Sequence, residues 1–384
     1  MKKTFKFLAT ALSAAILCSL SACSKTKDID PDSPEKYTGH TWGKYDVDSV
    51  TTLDFRKNSD SFTILQLTDT HIRSVDQLEY MKDCVGELVT AADPDLIVIT
   101  GDSIWKSNTK AVLSEYVKVM DSFKTPFALV FGNHDRDGDA KAADFERCYN
   151  ASEYGIFFTG PKALHGESNY QINVKNNKQI VYTLMFLDSG DSYTVPDNPK
   201  RYDWIRDDQV DYYAWCIKGV SAAVYGTFDP DNNKVVPSMM FYHVPQQEFW
   251  DCRQQMLADY GMNVKAPDGS IATETDDDVA YDERLYPCNR SKLVEMALEL
   301  KSTKAMFVGH LHRDRSVYAY NGLMLIQGLK TLTTYSYYGC EPGESPIEVG
   351  GTCIKIKADG SYDWTRIYSS EQFTSVQLGP LHGA

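Results

Sequence analysis

An α/β fold with parallel strands is what this sequence predicts, and three features point to it. Apolar, β-branched runs alternate with amphipathic stretches of helical period in the order β-α-β-α-β, which calls for crossover helices. The runs themselves are nearly continuous in apolar residues, as buried strands are. Five of them stop in turns that carry carboxylates, imidazoles and an amide, and the carboxyl ends of strands are where open α/β sheets bind ligands.

Taken in order, the chain opens with a basic stretch, Lys2, Lys3 and Lys6, and an apolar stretch over residues 7–20 that is short for a membrane span. Leu20-Ser21-Ala22-Cys23 follows, small residues ahead of a cysteine. This resembles the lipobox of bacterial lipoproteins. The resemblance implies a signal peptide over residues 1–22, acylation of Cys23, and a lipid anchor to a membrane of the cell envelope. An ordinary secretory signal with a chance cysteine is the alternative. Residues 23–57 then read as the acylated cysteine and a polar tether, with Pro31 and Pro34 and no apolar period. Asp28, Asp30 and Asp32 make it locally acidic, but lysines interrupt them and leave the membrane face open.

A folded domain is expected over residues 58–375. Residues 62–67 are predicted as its first strand, ending in Thr68-Asp69-Thr70-His71. A helix is predicted over 75–92, with Leu78, Met81, Val85 and Leu88 near one face. The second strand, 96–100, ends in Gly101-Asp102, and a second helix is predicted over 109–123. The third strand begins at Phe127, stops at Gly132 and gives way to Asn133-His134-Asp135. Between residues 135 and 176 the signals weaken to loops and short elements. Strands are predicted over 179–187, ending in Asp188, and over 238–242, ahead of His243, with a helix at 207–216 between them. Residues 251–289 have the least regular pattern. Their acidic run, 276–278, reads as a solvated loop rather than a calcium site, because no EF-hand glycine and glutamate spacing follows. A helix at 291–301 leads to a strand at 305–308 that ends in Gly309-His310-Leu311-His312. The remainder, rich in Tyr, Thr and Val, reads as antiparallel strands closing a second sheet.

Composition narrows the partners. The formal charge is −14, and loss of residues 1–22 removes three lysines and no acid, leaving −17. So acidic a chain is a poor nucleic-acid binder, and an anionic substrate has to be drawn by local charge, from metal ions or a few arginines. No protein partner is predicted. Seven of the nine cysteines lie beyond Cys23, and none forms a CxxC pair, which argues against a zinc finger. Cys340 and Cys353 are a candidate bridge for a C-terminal loop.

Each turn alone is weak evidence, but the set is not. Five of the eight histidines lie in these turns: His71, His134, His243, His310 and His312. With Asp69, Asp102 and Asn133 they offer oxygen and nitrogen ligands without thiolate, a set that suits Zn, Mn or Fe better than Ca or Mg.

Asp69-x-His71, Gly101-Asp102, Gly132-Asn133-His134-Asp135, a lone His243 and Gly309-His310-x-His312 resemble, in order, the five motifs of calcineurin-like metallophosphoesterases. Leu187-Asp188-Ser189-Gly190, Tyr202-Asp203-Trp204-Ile205 and His243-Val244-Pro245 are similar to the purple-acid-phosphatase-like branch. The resemblance implies a four-layer αββα sandwich of two mixed sheets flanked by helices. It also implies a dimetal phosphoesterase in which a hydroxide shared by two Mn, Fe or Zn ions attacks a phosphate ester. Asp69, His71 and His312 would hold one ion, Asn133, His243 and His310 the other, and Asp102 would bridge them. His134 would reach the substrate, with Asp135 orienting it; a turn-capping role for Asp135 is the alternative. Arg136, Asp188 and Arg313 are candidate substrate contacts near the rim. The branch favours a phosphomonoesterase. A phosphodiesterase, a nucleotide or pyrophosphate hydrolase on the same core, and a surface lipoprotein without turnover are the alternatives.

The chain departs from the purple enzymes at two positions. Trp105 stands where they place the tyrosine that binds ferric iron, and His71 stands where they have no such ligand. A colourless site is therefore expected.

The anchor is directly testable. Cys23→Ser should abolish incorporation of a labelled lipid precursor in growing cells; unchanged labelling would exclude acylation at this residue.

Overall fold

The computed structural model describes residues 42–106, 108–193, 201–272, 283–332 and 348–369. The predicted signal peptide, Cys23, the first part of the tether, the acidic run at 276–278 and Cys340 lie outside these residues. In chain order the strands and helices are β1 (Thr52–Asp54), β2 (Ser61–Leu67), α1 (Leu78–Ala92), β3 (Leu96–Thr100), α2 (Thr109–Asp121), β4 (Phe127–Val130), α3 (Ala142–Asn150), β5 (Gly155–Ile156), β6 (Tyr170–Asn176) and β7 (Gln179–Phe186). They continue with β8 (Ser192–Tyr193), β9 (Arg201–Tyr202), α4 (Asp207–Tyr225), β10 (Ser238–Phe241), α5 (Gln247–Asp259), α6 (Leu293–Leu300), β11 (Thr303–Val308), β12 (Val317–Tyr320), β13 (Leu323–Gln327), β14 (Gly350–Lys357) and β15 (Tyr362–Tyr368).

Side chains alternate across a strand, so a strand that is apolar throughout must be covered on both faces. That is what happens here. β2 sends Phe62 and Ile64 inward and Leu65 and Leu67 outward; β3 divides Leu96 and Val98 from Ile97 and Ile99 in the same way. In the other sheet, β10 divides Met239 and Phe241 from Met240 and Tyr242, and β11 divides Ala305 and Phe307 from Met306 and Val308. A six-stranded sheet, β15-β14-β2-β3-β4-β5, and a seven-stranded sheet, β1-β6-β7-β10-β11-β13-β12, are thereby packed face to face. Ile64, Val98 and Val130 of one meet Leu184, Phe241 and Phe307 of the other in the central core. Helices α1, α2 and α3 cover the outer face of the first sheet, and α4, α5 and α6 that of the second. The expected four-layer αββα sandwich of two mixed sheets is observed.

β2, β3 and β4 are mutually parallel, as are β7, β10, β11 and β13. The five motif turns therefore leave the carboxyl ends of β2, β3, β4, β10 and β11.

Several expectations are corrected. The late strands do not close one sheet. β12 and β13 form a hairpin in the seven-stranded sheet, with β13 parallel to β11, whereas β14 lies antiparallel to β2 in the other sheet. A hairpin's local pattern does not say which sheet edge receives it. β6 was hidden because its second face is polar: Gln171 Nε2 donates to Asn173 Oδ1 at 2.8 Å and to Thr183 Oγ1 at 3.1 Å. α5, within the stretch that looked irregular, buries Arg253 and Glu248 alongside Phe249 and Met256, so no apolar period marks it.

Residues 42–57 are not free tether. Trp42 packs 5.2 Å from Tyr212 and 5.6 Å from Trp215 on α4, Tyr45 lies 5.1 Å from Trp215, and β1 pairs with β6. These aromatic anchors follow no period, so only the surface that receives them reveals them. Cys353, expected to pair with Cys340, is a free thiol buried on β14, between β2 and β15. Among the described residues no helix is long and apolar enough to cross a membrane.

One buried ion pair ties α5 to the segment after His312: Arg253 Nη1 lies 3.1 Å from Asp314 Oδ2 and 3.3 Å from Ser316 Oγ. Arg253→Leu leaves the Asp314 carboxylate buried without its guanidinium, at a cost of about 3–5 kcal/mol. A corresponding fall in the urea midpoint is expected; a midpoint unchanged within error would show that the pair contributes nothing.

Candidate metal centre

Several of the motif residues take left-handed backbone: Asp69 at φ 55°, His71 at φ 49°, Asp102 at φ 53° and His310 at φ 76°. This conformation is unfavourable for residues with a Cβ and persists only where neighbours enforce it. Here the turns enforce it on one another. Asp69 N donates to Gly101 O at 3.1 Å and His71 N to Asp102 O at 2.9 Å. His310 N donates to Asp69 Oδ2 at 3.0 Å, which joins the two sheets at the site.

Asp135 completes this network, and its expected role is corrected. It is fully buried. Its Oδ2 accepts from Asp102 N and Gly132 N, both at 2.8 Å, and its Oδ1 from Ser103 N at 2.9 Å. With both oxygens committed to the backbone of the turns, it does not orient His134. Burial and the adjacent Asp102 charge push its carboxyl up to about 6.

The polar atoms left over converge. Asp102 Oδ2 stands 3.2 Å from His71 Nε2 and 3.2 Å from His243 Nε2, and Asp69 Oδ1 stands 3.2 Å from His312 Nε2. One ligand atom each from Asp69, His71, Asp102 and His312 lies within 4.8 Å of all the others. His310 adjoins His243, and Asn133 lies between Gly132 and His134 on the turn after β4. Asn133 Oδ1 and His310 Nε2, together with Asp69 Oδ1 and His243 Nε2, are buried without a hydrogen bond. Buried polar atoms are rarely left so. Two ligands each about 2.1 Å from one cation stand about 3.0–3.4 Å apart, the spacing seen here. The rings also sort into two groups, His71 with His312 at 4.8 Å between centroids and His243 with His310 at 5.2 Å, with Asp102 between them. His243 Nδ1 is held by Thr100 O at 2.8 Å and His71 Nδ1 by Asp69 O at 3.1 Å, so Nε2 faces inward in both, as in metal-ligating histidines generally. The donor set fits a pair of cations.

Charge states agree. Burial pushes the imidazoles of His71 and His310 down to about 3, helped by the Lys330 charge for His71 and by His243 for His310. Burial opposes ionisation of Asp69 and Asp102, yet the facing His312 and His243 hold both carboxyls below their usual range. Burial disfavours the charged form of His243 too, but Asp102 raises it to about 9, so a cation arriving there displaces a proton.

His134 stands beside this group. Its ring lies 4.6 Å from Trp105 and 5.5 Å from His71, and its Nδ1 is 2.6 Å from Asp137 Oδ2. Burial lowers its basicity, but the charges of Asp102 and Asp137 outweigh that and raise it. The acid that meets its Nδ1 is thus Asp137, three residues on, rather than the adjacent Asp135. Arg136 is ion-paired with Asp188, which is fully buried. Asp188 also accepts from Glu167 N at 2.5 Å and Gly190 N at 2.9 Å. Asp188 is therefore a structural carboxylate and not a rim contact, and Arg136 is its partner. Arg313 is half-buried beside His312. Lys330 escaped the sequence reading. It is buried, with Nζ 2.5 Å from Asp69 O and 3.0 Å from His71 Nδ1, and burial lowers it to about 8. Its one signal was its place just beyond the end of β13.

A family model described as calcineurin-like phosphoesterase matches residues 62–314. Phosphatase DCR2 of Saccharomyces cerevisiae is 28% identical over 217 residues, covering 49% of this chain and 35% of that protein. An Arabidopsis thaliana protein named "Probable inactive purple acid phosphatase 29" is 26% identical over 226 residues, covering 51% of this chain and 57% of that protein. The chain thus spans 35% and 57% of the length of these two curated relatives. Among solved structures, a dimetal phosphatase from Danio rerio shares the fold, with a TM-score of 0.50, 10% identity, and 81% of this chain and 96% of that chain covered.

The turns approach so closely that some positions admit no side chain. A Cβ on Gly132 would lie 2.2 Å from Asp102 Oδ1 and 2.5 Å from Asp102 N, and one on Gly309 would lie 2.0 Å from Thr68 Oγ1. Gly132→Ala should therefore displace Asp102 and lower the metal content of dialysed protein by at least one ion per chain. Retention of the wild-type content would mean that Asp102 holds no metal.

Proposed function

Because the chain belongs to the calcineurin-like phosphoesterase family, we propose that it hydrolyses phosphate esters at a dimetal centre held by Asp69, His71, Asp102, Asn133, His243, His310 and His312. The observation that supports this reading is the meeting of Asp69, His71, Asp102 and His312 within 4.8 Å, with Asp102 Oδ2 3.2 Å from both His71 Nε2 and His243 Nε2. When bound, two Mn, Fe or Zn ions supply Lewis acidity and an activated water for in-line displacement. The chain's own residues do the rest. Asp102 offsets the repulsion between neighbouring cations. Asn133, a neutral amide, limits the negative charge of its half of the site. His134, held by Asp137, donates a proton to the leaving oxygen. Trp105 cannot ligate at the position of the ferric tyrosine, which favours a colourless centre.

The branch resemblance favours phosphomonoesters over diesters, nucleotides or pyrophosphate. Acylation of Cys23 would place the enzyme on a membrane of the cell envelope. A second reading, a binding protein without turnover, draws on the word "inactive" in the name of one relative. The full ligand set present in this chain argues against it.

The test is metal analysis of the purified protein with a panel of mono- and diesters and added Mn, Zn or Fe. Two ions per chain and ester hydrolysis are expected; two ions without turnover on any ester would favour the binding reading. His134→Asn should keep both ions and lose on the order of 10²–10⁴ in turnover of an alkyl phosphate. A nitrophenyl phosphate, whose leaving group needs no proton, should lose much less. Equal losses would make His134 a stabiliser of phosphoryl charge, and loss of metal would make it a ligand.

A further inference from the structure

The turn that carries His134 holds a second acid, two residues beyond Asp135. Asp137 Oδ2 lies 2.6 Å from His134 Nδ1 and also accepts from Trp105 Nε1 at 2.8 Å. The Trp105 ring packs against the His134 imidazole with centroids 4.6 Å apart and planes 41° from one another. Trp105 is itself anchored: its backbone N donates to Ile72 O at 2.9 Å, one residue beyond His71, and the side chain is largely buried.

We propose that Asp137 and Trp105 are a positioning pair that fixes the tautomer and the aim of His134. This inference rests on the phosphoesterase reading above and deepens it. The two restraints act in different directions. The carboxylate holds the imidazole in its own plane through Nδ1, and the indole limits rotation out of that plane. A proton held on Nδ1 by Asp137 leaves Nε2, on the opposite edge of the ring, as the atom that gives its proton to the leaving oxygen. That proton is replaced from solvent in the next cycle. The indole N–H completes the arrangement. Asp137 Oδ2 meets both Trp105 Nε1 and His134 Nδ1, so the two rings are held on one oxygen. Asp135 is excluded from the task, since both of its oxygens are bound to the turn backbones. The residue that cannot serve as a ferric ligand thus has a different use, as the wall and second donor of a proton-transfer group.

The test separates positioning from mere structure. Asp137→Ala should keep both metals and lower kcat on an alkyl phosphate by on the order of 10–10²-fold, part of the worth of a positioned proton donor. KM should stay within about two-fold, and a nitrophenyl phosphate should be little affected. Trp105→Phe keeps the stacked ring but removes the N–H, and a loss of a few-fold with the same dependence on leaving group is expected. In a His134→Asn background, Asp137→Ala should add nothing, because its effect runs through His134. Additive losses, equal losses on both esters, or loss of metal in Asp137→Ala would overturn the inference. A readout independent of turnover is the imidazole nitrogen spectrum of ¹⁵N-labelled protein. His134, identified by its absence in His134→Asn, should be protonated at Nδ1 in the wild type and lose that preference in Asp137→Ala. A bare Nδ1 in the wild type would overturn the inference by itself. If the wild-type protein hydrolyses no phosphate ester, the enzymatic reading falls, and the spectrum still decides how His134 is held.

Discussion

Everything near the centre follows from burying the Asp102 carboxylate. It is 1% exposed, and ionised groups taken out of water are costly unless they are paired and fully hydrogen-bonded. Asp102 divides its oxygens accordingly. Oδ1 accepts from His134 N at 2.8 Å, and Oδ2 stands between His71 and His243, one from each ligand group. Its backbone N is held by Asp135. The first three motif turns are thus one hydrogen-bonded unit, and none of their ligands is independently mobile.

The full cluster, unlike that unit, exists only because two sheets are stacked. The six-stranded sheet delivers Asp69, His71, Asp102, Asn133 and His134; the seven-stranded sheet delivers His243, His310 and His312. The close-packed core between them sets the distance across which the two groups meet. Polar, buried contacts bridge the sheets at the site itself. His310 N reaches Asp69 Oδ2, Gln66 Nε2 donates to Val308 O at 3.0 Å, and Thr68 N donates to Thr331 Oγ1 at 2.9 Å. Such groups are unfavourable if left unpaired, so they favour one alignment of the sheets over a slid one.

The surroundings of the centre divide its labour by solvent access. His71 Nε2, His243 Nε2 and His310 Nε2 are dry, and burial favours the neutral form of His71 and His310. His134 is partly open, and Asp137 more so, which suits the proton transfer proposed for them. Lys330, buried behind the first motif turn, fixes the carbonyl of Asp69 and so the shape of that turn.

How much of this was legible depends on the range of the interaction concerned. The strands and their terminal ligands could be read because each is local: a continuous apolar run states that both faces are covered, and the ligands follow it within a few residues. Asp69, His71, Asp102, Asn133, His243, His310 and His312 were singled out in this way, and the alternating layers were read with them. The polar groups that meet only after folding could not be. Nothing in Asn-His-Asp-Arg-Asp says that Asp135 turns back to bind the backbone of another turn while Asp137 takes the imidazole. Nothing near Lys330 points to His71, 259 residues away in sequence. Asp188 looked like a rim residue, and its turn buries it against Arg136. β6, α5 and residues 42–57 were missed for the same reason, since their buried faces include charged or amide groups, or scattered aromatics, whose partners lie on other elements. By itself, then, the sequence determined which strands are buried and which ligands they carry, because apolar periodicity is a local property. The tertiary structure alone decided which polar atom meets which, because a hydrogen bond between distant residues leaves no period in the chain.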